Sequence, residues 1–251
     1  MGFLNDMFSS AKAFRPPVII AGSVNGLICL YNRFVHETYV LNPIFEEYTI
    51  LPKPRPKNNT EVVLSCGFGV SASGKYKEHK VYKVIRICCK KVSLDPYTIK
   101  APKIEVYTLG TGQWRSLGRE NPNYHLTNLQ GPLKSAGLFL NSHVYWIADD
   151  QIYDFDLVTE TFELLPSPPQ DIRDASYHTL AVVKGRLSRI SSSTSRFSVW
   201  VMKEGSWCKL MKNVDGAAAG SEAFKTPAGV KATVALLCFD LTAAHLQSPS
   251  L

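Results

Sequence analysis

The chain has 251 residues, of which 45% are hydrophobic and 11% aromatic, and its formal net charge is +7. This composition is sufficient for a large buried core, and all-β chains of this length often form one domain. No run of 18 apolar residues is present, so we expect no membrane span. The first residues lack the pattern of a signal peptide. The six cysteines form no Cys-x-x-Cys pair, which indicates a reducing compartment, the cytoplasm and/or the nucleus.

Short apolar segments bounded by turn residues predict strands along most of the chain. They lie at 18–20, 27–31, 36–41, 46–51, 62–68, 80–88, 104–107, 137–140, 144–148, 151–156, 161–165, 179–183, 185–190, 197–202 and 207–210. Asn25-Gly26 predicts a tight turn, because this pair readily takes positive φ. Residues 69–75 are predicted to be a turn region, and residues 89–103 a basic loop that contains two prolines.

One hairpin pattern occurs four times. A large residue is followed seven positions later by an aromatic residue and three positions further on by Leu, as in Phe155, Phe162 and Leu165. The other copies are Leu41, Tyr48, Leu51; Tyr107, Trp114, Leu117; and Trp200, Trp207, Leu210. The aromatic residues lie 66, 48 and 45 positions apart. A repeat of roughly 40–50 residues with several strands per unit predicts an all-β, kelch-like β-propeller of four-stranded blades.

The repeat divides the chain into three parts. Residues 1–17 form an N-terminal segment, residues 18–213 a propeller-like domain, and residues 214–251 an atypical tail rich in Ala, Gly, Ser and Pro, a composition compatible with disorder. About four blades are visible, so we expect an incomplete propeller. A truncated product of this kind has unpaired strand edges, and a nonfunctional chain is therefore one alternative.

The positive charge is concentrated in one segment. Residues 75–103 contain nine basic and two acidic residues, a net charge of +7, so the remainder of the chain is neutral. Propellers bind partners through loops on one rim, and a long basic insertion is therefore a candidate docking surface for an acidic protein. The candidate partner-binding residues are Lys75, Lys77, Lys80, Lys83, Lys90 and Lys91. A solvated loop without a partner is the alternative.

Several motifs together resemble the plant F-box-associated domain of F-box and kelch-type proteins. They include Gly22-Ser-Val-Asn-Gly-Leu-Ile-Cys-Leu30, Asn42-Pro-Ile-Phe-Glu-Glu-Tyr48, Gly67-Phe-Gly69, Val144-Tyr-Trp146, Phe155-Asp156 with Leu165-Pro166, and Trp200-Val-Met-Lys203. The similarity runs in order from about residue 20 to residue 210. It implies a kelch-like propeller fold.

The resemblance also implies a function. Family members are substrate receptors of cullin-based SCF ubiquitin ligases, in which an F-box binds a Skp-type adaptor and the associated domain binds the protein to be ubiquitinated. One subgroup, the S-locus F-box proteins, acts in pollen self-incompatibility, and the motifs do not distinguish it from the others. The N-terminal segment lacks the Leu-Pro start and helical Leu pattern of an F-box. We therefore expect a truncated substrate receptor that needs a supplied F-box to bind the adaptor.

Several motifs could indicate a catalytic or ligand-binding site, but each also has a structural explanation. Residues 69–75 have the spacing of a phosphate-binding loop, but Tyr76 replaces the Ser or Thr that would hold magnesium. No histidine pair has zinc-helix spacing, and the Asp154–Asp156 pair is expected to hold a turn rather than to catalyse hydrolysis. We predict no catalytic residue, cofactor, metal, nucleic acid or membrane partner. A glycan- or small-molecule-binding propeller using Tyr145, Trp146 and Trp200 is the remaining alternative, whereas packing is the favoured role of these aromatics.

Overall fold

The computed structural model of the chain describes a defined set of residues, and the following applies to those alone. They are residues 18–33, 35–53, 61–73, 79–90, 98–100, 102–117, 128–130, 133, 136–148, 150–170, 177–193 and 196–215. Within these ranges the secondary structure consists of strands and turns, so the predicted all-β class is confirmed. The N-terminal segment and residues 216–251 of the predicted tail lie outside the described residues.

The described residues form eighteen strands. They are β1 (Val18–Val24), β2 (Leu27–Asn32), β3 (Glu37–Asn42), β4 (Glu47–Ile50), β5 (Glu61–Ser73), β6 (His79–Lys90), β7 (Thr98–Lys100), β8 (Lys103–Thr108), β9 (Trp114–Leu117), β10 (Asn128–Gln130), β11 (Leu138–Leu140), β12 (His143–Ala148), β13 (Gln151–Asp156), β14 (Phe162–Leu165), β15 (Tyr177–Val183), β16 (Arg186–Ser192), β17 (Arg196–Lys203) and β18 (Ser206–Asp215).

Sixteen of these strands form four sheets of four. The sheet orders are β1-β2-β3-β4, β5-β6-β8-β9, β11-β12-β13-β14 and β15-β16-β17-β18. Neighbouring strands in these sheets are consecutive in the chain, except that β7 lies between β6 and β8. The described pairings are antiparallel, that of β6 with β8 included. The four repeated units predicted from the sequence are therefore confirmed as four sheets.

The repeated hairpin has a backbone signature at its turn. The residue five positions after the first large residue has positive φ in every copy: Glu46 (55°), Gly112 (75°), Glu160 (58°) and Gly205 (79°). Because a left-handed residue suits the turns that join tightly paired strands, this position closes each hairpin. The repeat is thus a repeat of turn geometry as well as of large side chains.

The second sheet, β5-β6-β8-β9, differs from the predicted structure in two places. Residues 69–73, predicted to be a turn, continue β5, and their backbone pairs with β6 from Gly69 opposite Lys83 to Ser73 opposite His79. The phosphate-loop alternative is excluded for these residues because they are an extended strand. The predicted basic loop at residues 89–103 instead contains the end of β6 and the short strand β7, which pairs with β10 in a two-stranded sheet.

The chain divides into two compact units. Residues up to 149 with Tyr153–Leu165 form the first unit, and Asp150–Ile152 with the residues from Pro166 onward form the second. In the first unit β1, β5 and β11, the leading strands of three sheets, contact one another. Its core contains wholly buried aromatic side chains, including Phe68, Trp146 and Phe155. The second unit contains the sheet β15-β16-β17-β18. The single-domain boundary at residues 18–213 stays a prediction.

Candidate protein-binding site

Among the predicted docking lysines that the structure describes, Lys80 and Lys90 lie far apart along one strand. Lys80 lies near the start of β6 and Lys90 at its end, and β6 is a strand of 12 residues. A rise of about 3.3 Å per residue separates the two backbone positions by roughly 33 Å. Lys80 is exposed, Lys90 is described for its backbone alone, and Lys75, Lys77 and Lys91 lie outside the described residues. A segment that is continuous in sequence thus contributes lysines to opposite ends of one hairpin.

Lys83 was included in the predicted docking set, but the structure shows that it is buried. Its residue is only 8% exposed, and its ammonium donates to the carbonyl oxygen of Leu157 at 2.5 Å and to Glu160 Oε1 at 2.8 Å. A buried lysine requires such partners because desolvation of an unpaired ammonium is costly. Lys83 therefore joins two sheets of the first unit and is not presented to a partner.

Glu160 is shared by two cations. Besides Lys83, Arg115 donates to Glu160 Oε1 at 2.6 Å. Burial opposes ionisation of this carboxylate, but the hydrogen bonds from Arg115 and Lys83 outweigh it and lower the pKa of Glu160. The side chain of Arg115 is half-exposed, whereas those of Glu160 and Lys83 are mostly buried. The Lys83–Glu160 pair is thus the buried part of the network.

The two aspartates considered for acid chemistry have separate structural roles. Asp156 accepts hydrogen bonds from the Val158 amide at 2.7 Å and from the Thr159 hydroxyl at 2.8 Å, which holds the β13–β14 turn as predicted. Asp154 pairs across the sheet with His143 at 2.9 Å. That hydrogen bond raises the pKa of His143. The arrangement favours turn and sheet stabilisation over paired acid catalysis.

The aromatic side chains chiefly pack. Trp146 is wholly buried, stacks on Phe162 with ring centroids 5.9 Å apart, and donates its indole N–H to the hydroxyl of Ser65 at 3.1 Å. Tyr145, which is half-buried, stacks on His143. In the second unit, the Lys209 ammonium lies 5.8 Å from the ring centroid of Trp200. The packing interpretation is confirmed for Trp146.

Arg86 is buried and contacts aromatic rings of the first two sheets. It is 4% exposed, and its guanidinium lies 5.4 Å from the ring centroid of Tyr31 and 4.7 Å from that of Trp114. Its nearest acidic partner is Glu105 at 4.0 Å. Burial raises the pKa of the Cys66 thiol, close to this site, to about 12. Cys66 is therefore a neutral, buried thiol.

A pocket that the sequence did not reveal lies beside the first residues of β5 and the β2–β3 connection. Its volume is about 300 Å³. The lining residues are Tyr31, Arg33, His36, Val62, Val63, Leu64 and Leu133. They come from three separate parts of the chain, so no local motif marks the pocket.

The second unit contains a buried polar cluster of its own. Arg189, which is 2% exposed, donates to the Asp150 carboxylate at 2.5 Å and lies 3.2 Å from Nδ1 of His178. His178 also lies 3.0 Å from the hydroxyl of Ser191, its cross-strand neighbour. The aspartate offsets the buried guanidinium charge, so this cluster stabilises β15 and β16.

The described ranges contain neither a cluster of metal-ligating side chains nor a helix that could span a membrane. No three His, Cys, Asp or Glu side chains in those ranges lie close enough to hold a metal ion. The same part of the chain contains no helix with the length and apolar character of a membrane span.

The family model described as the F-box associated beta propeller domain matches residues 6–243. The chain belongs to the F-box associated beta propeller domain family. This finding confirms the resemblance deduced from the motifs, and it confirms the predicted propeller-type fold. Incompleteness of the propeller stays a prediction.

Relatives of this F-box associated domain in Arabidopsis thaliana are F-box proteins. F-box protein At3g07870 is 24% identical over 207 residues, which cover 75% of this chain and 48% of that protein. Putative F-box protein At1g33530 is 30% identical over 159 residues, which cover 62% of this chain and 31% of that protein. Putative F-box/kelch-repeat protein At1g13200 is 25% identical over 217 residues, which cover 77% and 48%. The chain thus spans about half or less of the length of these relatives.

A weaker likeness links the chain to a solved structure, the major allergen Mala s 1 of Malassezia sympodialis. The TM-score is 0.40 with 5% identity, covering 80% of this chain and 79% of that chain. A likeness at this level carries no argument about fold or function.

Proposed function

We propose that this chain is the substrate-recognition domain of an SCF-type ubiquitin ligase. The observation that carries the proposal is the match of the F-box associated beta propeller domain to residues 6–243. Its relatives are F-box and F-box/kelch-repeat proteins. In this role the propeller binds a protein substrate, and a separate F-box binds the Skp-type adaptor.

The side-chain chemistry of the described residues agrees with binding rather than catalysis. The two aspartates considered for acid catalysis have structural roles instead, since Asp156 holds a turn and Asp154 binds His143. The buried thiols of Cys66 and Cys88 have raised pKa values, so they are poor nucleophiles at neutral pH. The proposal is therefore a non-enzymatic receptor. Free thiols suit the reducing cytoplasm or nucleus, where this receptor would act.

The docking proposal becomes two alternatives. Lys80 is exposed near one end of β6, and Lys90 lies at the other end. In the sequence Lys75 and Lys77 precede Lys80, and Lys91 follows Lys90. Because roughly 33 Å separates these ends, a short acidic segment engages one of them at a time. We propose docking of an acidic protein surface at one end, with Lys83 serving the core.

The test couples this chain to a functional F-box. The full 251-residue chain is fused behind an F-box that binds the Skp-type adaptor, and protein turnover is measured across the proteome of plant cells. A matched fusion carries charge reversals of Lys75, Lys77, Lys80, Lys90 and Lys91. Proteins that copurify with the unfused chain should turn over faster with the fusion, and a proteasome inhibitor should abolish the difference.

Adaptor binding is measured in parallel with the unfused chain. We expect the fusion, but not the unfused chain, to retain the purified Skp-type adaptor. Unchanged turnover of every copurifying protein, with the fusion loaded on the adaptor, would contradict the proposed receptor role. Strong adaptor binding by the unfused chain would contradict the division of labour between F-box and propeller.

A further inference from the structure

The 300 Å³ pocket lies in the first unit between the β2–β3 connection and the first residues of β5. Val62 and Leu64 supply apolar walls, and Leu133 supplies a third. Val62 is 39% exposed, so its side chain is at the mouth of the pocket. The volume suits one or two side chains of an extended segment and is too small for a folded element.

Three polar groups line the same space. The phenol of Tyr31 lies 2.9 Å from Nδ1 of His36. His36 has φ of 54°, a left-handed conformation that is uncommon for a residue with a side chain. Its exposed ring is therefore held by the backbone turn and by Tyr31. Burial raises the pKa of Tyr31, so the phenol keeps its proton and can donate it to Nδ1. A ring that accepts at Nδ1 carries its own proton at Nε2, where it can donate to a ligand.

Arg33 brings a full charge to the pocket. It is exposed, and its guanidinium donates a long hydrogen bond of 3.4 Å to the carbonyl oxygen of Leu64. The described lining residues include no acidic residue, so none of them neutralises the guanidinium.

A second guanidinium lies behind the pocket. Arg86 is 5.4 Å from the ring centroid of Tyr31. Its acidic partner Glu105 is 4.0 Å away and is bound more closely by Lys103, at 2.7 Å. The Nε of Arg86 has no hydrogen-bond partner among the described residues. The group of Arg33, Arg86, Lys103 and Glu105 therefore has an excess of positive charge, and the low dielectric of the interior strengthens its field at the pocket.

We propose that this pocket binds the carboxylate of an Asp or Glu side chain in an extended segment of a partner protein, with Arg33 as its counter-charge and His36 as a second donor. Apolar residues that flank the acidic residue would contact Val62, Leu64 and Leu133. This inference rests on the proposed function, because it names the chemistry by which the receptor selects its substrate. A guanidinium and an imidazole together match a carboxylate, and the apolar walls exclude a fully hydrated anion.

Peptide selection tests the proposal without knowledge of the substrate. Random heptapeptides, displayed with both ends fused, are selected on the full-length chain and on three variants: Arg33→Gln, Val62→Glu and Arg186→Gln. The last is the matched control, since Arg186 is an exposed arginine on β16 that does not line the pocket. Thermal melting verifies that each variant is folded. A second library with free C-termini separates side-chain carboxylates from terminal ones.

We expect Asp or Glu to be enriched at one position on the wild-type chain and on Arg186→Gln. The enrichment should vanish on Arg33→Gln, and on Val62→Glu, which places a negative charge at the mouth. A selected synthetic peptide should lose about tenfold in affinity when its acidic residue becomes the amide, because one charge-assisted hydrogen bond is lost. The same change should have no effect on binding to Arg33→Gln.

Three outcomes would overturn the proposal. They are an absence of acidic enrichment, enrichment that survives both pocket variants, and acidic binding only by peptides with a free C-terminus. The peptide selection and the turnover experiment can fail separately. Loss of the pocket result alongside accelerated turnover in the F-box fusion would refute this site alone. A confirmed pocket with unchanged turnover would refute the ligase role alone.

Discussion

Trp114 donates its indole N–H to the carbonyl oxygen of Pro52 at 2.6 Å, across two sheets of the first unit. In the second unit Trp207 makes the same bond with Pro166, also at 2.6 Å. Both tryptophans are the repeated aromatic residue of their hairpin, and both prolines directly follow the repeated Leu of an earlier copy. In these two cases the repeated tryptophan therefore donates to the proline of a Leu-Pro pair.

Replacing Trp114 with Phe should destabilise the first unit by about 1–2 kcal/mol. The change removes the indole hydrogen bond, worth roughly 1 kcal/mol, and weakens the contact of Arg86 with the ring. Urea unfolding monitored by circular dichroism measures the effect. Trp207→Phe is the matched variant, and we expect a loss of about 1 kcal/mol there because no cation of the described residues lies over the Trp207 ring. Trp114→Phe within about 0.5 kcal/mol of wild type would show that this bond contributes little.

Glu160→Gln should destabilise the protein by about 2–3 kcal/mol at pH 7, since the buried ammonium of Lys83 loses its counter-charge. The half-exposed Arg115 contributes little to this figure. Glu163→Gln, an exposed carboxylate on β14, is the control and should be nearly neutral. A Glu160→Gln chain as stable as the control would contradict a stabilising role of the pair.

The same variant has a defined pH dependence. The pKa of Glu160 is lower in the folded chain than its ordinary value, so its contribution is complete above the unfolded pKa of about 4.3 and is lost as the pH falls through the folded pKa. The stability gap between wild type and Glu160→Gln should therefore be constant near neutrality and close below about pH 4. Unfolding midpoints at several pH values test this, and a gap that widens in acid would refute the assignment.

Gly67→Ala should destabilise the first unit by about 1–3 kcal/mol through overpacking. A Cβ at Gly67 would lie 2.6 Å from Cζ2 of Trp146 and 2.7 Å from Val144, both of which are wholly buried. The double variant with Trp146→Phe removes the indole atom that clashes. We expect a favourable coupling of about 1 kcal/mol in the double-mutant cycle. Strict additivity of the two single changes would contradict the contact.

Charge reversal of two groups of lysines should distinguish the two proposed docking sites. One variant carries Lys75→Glu, Lys77→Glu and Lys80→Glu, and the other carries Lys90→Glu and Lys91→Glu. For a partner with a short acidic segment, we expect one variant to weaken binding about tenfold or more and the other to leave it nearly unchanged. Titration by fluorescence anisotropy at constant ionic strength measures both. Equal weakening would indicate diffuse attraction to the net charge.

The hairpins were predictable because their signal is local. Each copy places its two large residues and its turn residue within about ten positions, a span over which strand pairing is decided by neighbours in sequence. The four sheets followed from this spacing. The end of β5 was predicted wrongly because residues 69–75, which include Gly69, have the composition of a turn. In the fold its missing side chain makes room for Phe139, whose ring atom would lie 2.5 Å from an added Cβ.

The binding features were less predictable because they depend on distant contacts. Lys83 has the same local composition as Lys80, and only the approach of Glu160 and Leu157 distinguishes the buried lysine from the exposed one. The pocket brings Arg33 and His36 next to Leu133, which no spacing in the sequence indicates. The family, in contrast, was recognisable from the motifs, since these motifs are the hairpins themselves.

The most direct test of the receptor role is ubiquitination of a bound protein in a purified system. The fusion of an F-box to this chain is combined with the Skp-type adaptor, cullin, ubiquitin-conjugating enzyme and a protein that copurifies with the unfused chain. We predict polyubiquitin chains on that protein, dependent on the propeller and absent when the F-box alone is supplied. Equal modification by the F-box alone, or no modification by an assembled complex that holds the protein, would contradict the account.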